Sequence, residues 1–105
     1  MNTRLRKHRH FLKFLAQTRK EQRIVVLDSM TIPQQNAVCE VVLNVVRGNI
    51  PISPRNIKYL HRYKNIILQI ADRTTKKAEV KQLLVKHSYL LSVLLEPILI
   101  GLKKA

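Results

Sequence analysis

The sequence predicts an all-α protein, a small bundle of four to five helices with a basic N-terminal arm. Apolar residues recur at spacings of three and four in several segments, as the buried face of a helix requires. Helix start signals precede most of these segments. Glycine occurs only twice in 105 residues, too rarely for the many turns of an all-β barrel. Hydrophobic residues make up 46% of the chain, which is enough for one modest core.

The N-terminal part of the chain is marked by its positive charge. Residues 1–23 contain eight lysines and arginines but only one acid, Glu21, and we predict that they form a basic arm or a basic helix. Residues 24–105 are then the small helical domain. Thr18 and Glu21 have the spacing of a capping box, so a helix is predicted to begin there. The predicted core-facing residues of that helix are Ile24, Val25 and Leu27.

A second start signal is Thr31-Ile-Pro-Gln34, because proline is tolerated in the first turn of a helix. Gly48 fits the stop position after this helix. A strand over residues 41–46 is the alternative, but the start and stop signals favour a helix. The valines that recur at helical spacing are Val38, Val41, Val42, Val45 and Val46.

Ser53 and Pro54 are the clearest helix start in the chain, since serine caps a helix and proline fits its first position. This helix is predicted to run unbroken to about Asp72. One side of it is apolar, formed by Ile57, Leu60, Ile67 and Ile70. The other side is a basic stripe at helical spacing, formed by Arg55, Lys58, Arg62, Gln69 and Arg73.

The last third of the chain contains one more basic helix and an apolar segment. Thr74 and Thr75 offer a cap for a helix over residues 76–86, and His87-Ser88 is a predicted interruption. The apolar segment, residues 89–102, is shorter than the roughly 20 residues that span a membrane, so we predict no transmembrane segment. We expect it to be a core helix; a protein contact or a membrane-active patch is the alternative.

Net charge is the strongest functional signal in this sequence. The chain holds 20 lysines and arginines against 6 acids, a formal net charge of +14. A free domain with this charge repels itself, so an anionic partner is expected. Nucleic acid is the first candidate and an anionic membrane the second. For any single helix, a merely solvated basic face is the alternative.

Neither catalysis nor a metal site is predicted. The few carboxylates show no spacing typical of an acid and a base. Cys39 lies in the apolar stretch AVCEVVLNVV and is predicted to be a buried, inert thiol. A single cysteine forms no intrachain disulfide, so a reducing, intracellular compartment is expected. The charges of Lys7 and Arg9 disfavour a metal ion at His8 and His10, so no metal and no cofactor are predicted.

Phosphate contacts by the exposed cations are the predicted binding mode. Such contacts give affinity without base specificity. Tyr59 and Tyr63 lie among basic residues and are candidates for stacking on an exposed base. The predicted nucleic-acid-binding residues are Arg4, Arg6, Lys7, Arg9, Lys13, Arg19, Lys20, Arg55, Lys58, Arg62, Arg73, Lys76 and Lys77. The predicted partner-binding residues of the apolar segment are Leu91, Leu94, Leu95 and Ile98.

The stretch CEVVLNVVRGNIPISPRNIKYLHRYKNIILQIADRTTKKAEVKQLLVK, residues 39–86, resembles small basic proteins of Polinton and adintovirus-type elements of animals, which carry adenovirus-like virion genes. The shared features include the CE-x-x-LN pattern, the GNIPIS motif and the LLV triplet. This chain departs from the pattern in its diluted lysine-rich segment, KKAEVKQ, and in His87-Ser88-Tyr89, which replaces a glycine pair. The resemblance implies a minor virion or DNA-associated core protein, located in the nucleus or the virion.

Three functional hypotheses follow. The first is non-enzymatic, largely sequence-independent nucleic-acid binding, with DNA favoured over RNA only because of the resemblance. The second is a structural or assembly protein, such as a homo-oligomer or a viral structural protein, in which residues 89–102 dock on a partner or capsid subunit. The third, and least favoured, is a membrane-active protein. None of the three involves a small-molecule substrate.

Overall fold

A computed structural model of the chain shows the predicted all-α fold. The structure describes the backbone of residues 3–104 and the side chains of residues 3–97. This described part contains eight α-helices and one short 3-10 helix, more than the four to five helices predicted. The α-helices are α1 (Thr3–Lys7), α2 (Arg9–Gln17), α3 (Lys20–Ser29), α4 (Ile32–Val46), α5 (Pro54–His61), α6 (Lys64–Ala71), α7 (Lys77–Lys86) and α8 (Leu91–Lys104), and the 3-10 helix is Ser88–Leu90.

Helix α4 lies at the centre of the packing. It contacts α1, α2, α6 and α8, while α2 packs along α8 and α3 packs against α7. Val38, Val41 and Val42 of α4 are fully buried, as their spacing predicts. Leu94 and Leu95 of α8 are also fully buried, so the first half of the apolar segment is a core helix.

The basic N-terminal segment is helical and belongs to the same folded unit. Its leucines Leu5, Leu12 and Leu15 are buried and join the single hydrophobic core. Of the two predicted forms, arm or helix, residues 3–17 adopt the helical one as α1 and α2. Removing residues 1–23 would therefore remove part of the core as well as positive charge.

Two of the predicted helix starts are confirmed in detail. The Thr31 hydroxyl accepts a hydrogen bond from the Gln34 backbone N–H (3.2 Å), and the Gln34 side chain accepts one from the Thr31 backbone N–H (2.8 Å). This reciprocal pair satisfies two donors at the start of α4. The Ser53 hydroxyl likewise accepts from the Asn56 backbone N–H at the start of α5 (3.3 Å).

At two other predicted starts the helix begins within two residues of the predicted position, but the predicted threonine cap is absent. The Thr18 hydroxyl donates to the Gln22 side chain (2.9 Å), and α3 begins at Lys20 without a side-chain cap. The Thr75 hydroxyl donates to the Gln69 carbonyl (2.8 Å), and α7 also begins without a side-chain cap. A threonine just ahead of these helices therefore marked the helix start without serving as its cap.

The helix predicted from Ser53 to about Asp72 is broken into α5 and α6. The break is a tight turn: the Arg62 N–H donates to the Tyr59 carbonyl (3.3 Å) and the Tyr63 N–H to the Leu60 carbonyl (2.9 Å). These bonds span three residues instead of four and change the direction of the helix. Ile57, which one continuous helix would bury, is 54% exposed.

One predicted core residue of α3 is also on the surface. Val25 was expected in the core but is 66% exposed.

Gly48 ends α4 with a left-handed backbone, φ +73°, as its predicted stop position requires. A Cβ at this position would meet no atom within 4 Å, so conformational strain is the whole cost of a side chain. We expect Gly48→Ala to lower the free energy of unfolding by about 1 kcal/mol. Gly48→Asn should lower it less, because asparagine tolerates this conformation. Urea unfolding measures the stability of both variants. If Gly48→Ala were as stable as the wild type, the left-handed backbone assigned to Gly48 would be contradicted.

Candidate nucleic-acid interface

All thirteen predicted phosphate-binding side chains are exposed. Among the residues that the structure describes, one of them forms an ion pair: Arg4 Nη1 lies 3.6 Å from Glu40 Oε2. The others are exposed and form no ion pair with a carboxylate in the described part of the chain. Most of the positive charge is therefore available to an external anion.

The N-terminal cations are carried on a fixed helical surface. Leu12 and Leu15 of α2 are buried against the rest of the core, and α2 packs along α8. Arg9 and Lys13 are exposed and lie four residues apart, about one turn of the same helix. Two cations at this spacing can contact neighbouring phosphates without first ordering a flexible segment, because the helix already orders the backbone.

The basic stripe predicted over residues 55–73 is divided by the turn at Arg62 and Tyr63. Arg55, Lys58 and Arg62 keep helical spacing along α5 and its C-terminal cap. Arg73 lies beyond α6, in the connection to α7. The single five-residue stripe was therefore an incorrect prediction, and α5 alone carries a three-residue basic face.

The structure instead brings together three predicted cations that are far apart in sequence. Arg4 from α1, Arg73 from the connection before α7 and Lys77 from the start of α7 line one cleft of about 350 Å³, here called the α4 cleft. Its other lining residues are Gln35, Asn36, Cys39, Glu40, Leu43, Ile70, Ala71, Asp72, Thr75 and Val80.

Gln35 fixes the shape of this cleft. Its side chain is buried, and its Nε2 donates to the Lys77 backbone carbonyl at 2.8 Å. The bond joins α4 to the first residue of α7, while the Lys77 ammonium contacts the Asn36 side-chain oxygen. The position of the Lys77 charge is therefore set by two residues of α4.

The α4 cleft has mixed charge. Glu40 and Asp72 line it together with the three cations. The backbone N–H of Thr74 (2.9 Å) and the Thr74 hydroxyl (2.8 Å) both donate to Asp72 Oδ1. These bonds lower the pKa of Asp72, so this carboxylate is ionised at neutral pH. Two carboxylates offset much of the cationic charge, and the cleft is consequently a weaker phosphate site than the exposed faces of α2 and α5.

Cys39 is half-buried at the wall of the α4 cleft, not fully buried as predicted. Burial raises the pKa of its thiol, and the opposing effect of the Lys77 charge is smaller. A thiol with a raised pKa stays protonated at neutral pH and is a poor nucleophile. Within the described side chains, no group of three or more histidines, cysteines and acids is placed to hold a metal ion.

Comparison with family models, with curated proteins and with solved structures finds no match to this chain. In the part of the chain that the structure describes, no helix combines the length and the apolar character needed to cross a membrane.

Three of the four predicted partner-binding residues are not on the surface. Leu91, Leu94 and Leu95 are at most 1% exposed and form part of the core. A partner cannot contact them while the chain is folded, so this prediction was incorrect for these three residues. Packing against α2 explains the burial, because α8 is apolar on nearly all sides and α2 covers one of them. The side chain of Ile98 lies outside the described residues.

Arg23 has a structural role that its position in the basic segment, residues 1–23, did not predict. Its side chain is 8% exposed. Nε donates to the Leu15 carbonyl (3.1 Å), Nη1 to the Ser88 carbonyl (3.1 Å) and Nη2 to the Thr18 carbonyl (3.0 Å). Its spacing of four residues before the buried Leu27 was the available signal, because that spacing places both side chains on one face of α3.

Proposed function

We propose that the protein binds nucleic acid through phosphate contacts, without chemistry and with little choice of sequence. The observation that carries this proposal is the set of thirteen exposed cations, of which Arg4 alone is ion-paired within the described residues. They lie on a small globule with a Cα radius of gyration of 12.5 Å. Many like charges then lie within a few Debye lengths, about 8 Å each at physiological salt, and a polyanion relieves their mutual repulsion.

The form of the basic surface supports contacts to phosphate rather than to base edges. The cations lie on or beside several short helices, and all of them are long lysine or arginine side chains exposed to water. Such contacts hold a nucleic acid without reading its sequence. The resemblance of residues 39–86 to small basic proteins of Polinton and adintovirus-type elements favours DNA as the ligand. On the same basis, we propose a role in a virion core.

The rival hypothesis, assembly through residues 89–102, has less support. It depended on exposed leucines in the apolar segment, and Leu91, Leu94 and Leu95 are buried. A substitution such as Leu94→Asp would place a charge in the core and unfold the chain, so it does not test assembly.

The test is the affinity for a short duplex of random sequence, measured by fluorescence anisotropy over a series of salt concentrations. The logarithm of the binding constant should fall linearly with the logarithm of the salt concentration, with a slope of about −4 or steeper, since each neutralised phosphate contributes about −0.9. Weak binding at low salt with a shallow slope would contradict the proposal.

The double variant Arg9→Gln/Lys13→Gln locates the contacts without disturbing the core. If both side chains contact phosphates, the slope becomes shallower by about 2. Gln82→Ala, an exposed neutral substitution on α7, is the control and should leave the slope unchanged. Charge substitution is the appropriate design, because truncating residues 1–23 would also remove three buried leucines.

A further inference from the structure

An aromatic cluster connects two parts of the chain that are distant in sequence. Tyr63 lies between Tyr59 and Tyr89, with ring centroids 5.6 Å and 5.5 Å away, and His87 lies 5.7 Å from Tyr89. All three contacts are edge-to-face, with interplanar angles of 61°, 66° and 74°. Tyr59 and Tyr63 come from α5 and its end, and the other two rings come from the residues after α7.

The cluster lies at the rim of the core and remains accessible to solvent. Each of the four side chains is half-buried, and the three tyrosines pack against buried core residues on one side. No ring is held between two parallel rings, since every ring contact is edge-to-face. The rings thus present partly exposed aromatic surface, on which a flat partner could stack.

One hydrogen bond orders the far end of the cluster. Tyr89 Oη lies 2.8 Å from His87 Nδ1. Burial and the nearby charge of Lys86 lower the pKa of His87, so the imidazole is neutral at pH 7 and shares one hydrogen bond with the Tyr89 hydroxyl. The ring of Tyr89 is thereby fixed in orientation before any ligand arrives.

The chain segments that supply the four rings carry basic residues and no acid. The two segments that supply the rings, residues 41–71 and 80–95, contain no aspartate or glutamate. Lys58, Arg62 and Lys64 are exposed beside the tyrosines in sequence, and Lys86 is exposed next to His87. Aromatic rings interleaved with cations form the combination that binds single strands, in which phosphates contact the cations and bases stack on the rings.

We infer that this aromatic cluster binds an unpaired base, so that the protein prefers single-stranded nucleic acid to a duplex. The inference rests on the proposed function, since the surrounding cations must hold the strand. In a duplex the base faces are already stacked on one another and are not available to a tyrosine. Stacking of one base should favour the single strand by about tenfold in affinity at the same salt concentration.

The intrinsic fluorescence of the protein reports this site alone. The chain has no tryptophan, and its three tyrosines all belong to the cluster. An oligothymidylate should quench the tyrosine emission at saturation, because a base stacked on a tyrosine ring quenches it. Inorganic polyphosphate, which has phosphates but no bases, should bind and leave the emission unchanged.

The decisive comparison is between oligothymidylate and a duplex of equal length, for the wild type and for Tyr59→Leu. The variant should lose about tenfold in affinity for oligothymidylate and stay within twofold for the duplex. Tyr59→Phe keeps the ring and should retain the wild-type affinity for both. Phe14→Leu, which removes an exposed ring from the basic helix α2, is the matched control and should change neither affinity.

The outcomes separate this inference from the proposed function. Equal affinity for both ligands, with a steep salt dependence and no quenching, would overturn the inference and leave phosphate binding intact. No salt-dependent binding of either ligand would overturn both. Circular dichroism of Tyr59→Leu checks its fold. If that variant is unfolded, the wild-type quenching experiment decides the question by itself.

Discussion

Replacing Arg23 with alanine is expected to lower the free energy of unfolding by about 3 kcal/mol. The guanidinium donates to three backbone carbonyls, those of Leu15, Thr18 and Ser88. The substitution removes all three of these donors from a buried position, where an unsatisfied carbonyl is costly. Burial lowers the pKa of Arg23, yet a guanidinium stays charged in proteins, and its bonds are of the stronger, charge-assisted kind.

Urea unfolding, followed by circular dichroism, measures this effect. Arg19→Ala removes an exposed arginine at the start of the same helix and should change stability by less than about 0.5 kcal/mol. Arg23→Lys keeps the charge but cannot reach three carbonyls at once. Its loss of unfolding free energy should lie between those of Arg19→Ala and Arg23→Ala. If Arg23→Ala were as stable as Arg19→Ala, the three hydrogen bonds would contribute nothing to the fold.

A loss of about 3 kcal/mol is also expected for Leu94→Ala. Leu94 is fully buried in α8 and belongs to the one hydrophobic core. The substitution removes apolar contacts and leaves a cavity, and both effects act in the same direction. The same urea experiment measures it.

The control for Leu94→Ala is Val25→Ala, in α3. Val25 is 66% exposed, so its truncation should change stability by less than about 0.5 kcal/mol. A small effect at Leu94 together with a large one at Val25 would mean that the surface and interior of the bundle are wrongly assigned. It would also restore residues 91–95 as candidates for a partner surface.

Local signals predicted much of this fold correctly. The start of α4 at Thr31, the start of α5 at Ser53 and the stop at Gly48 each depend on groups within four residues of one another. Such signals are visible in sequence because their hydrogen bonds or backbone strain are local. Val38, Val41 and Val42 were likewise recognised by their spacing, whereas Val46, predicted to face the core with them, is 41% exposed.

Errors arose where distant residues decide the structure. The turn at Arg62 contains neither proline nor glycine, and the ring that follows it, Tyr63, packs against Tyr89 from the far end of the chain. The buried position of Arg23 depends in part on a carbonyl 65 residues away. Similarly, the high charge of residues 1–23 concealed Leu5, Leu12 and Leu15, whose burial requires α4 and α8 to be present.

The candidate interface was predictable in composition but not in arrangement. Charge alone indicated which side chains face water, and all thirteen do. It could not show that Arg4, Arg73 and Lys77 meet in one cleft together with Glu40. Nor could it show that His87 and Tyr89 extend the pair Tyr59–Tyr63 into a cluster of four rings.

The packing of α2 along α8 has a consequence for synthesis of the chain. Helix α2 ends at residue 17, but its main partner begins only at residue 91. At a translation rate of about 5 to 20 residues per second, the 73 intervening residues take roughly 4 to 15 seconds. Throughout that interval α2 lacks its main native partner, although α4 is already available to it. Helix α2 thus leaves the ribosome well before the helix that covers most of its buried face.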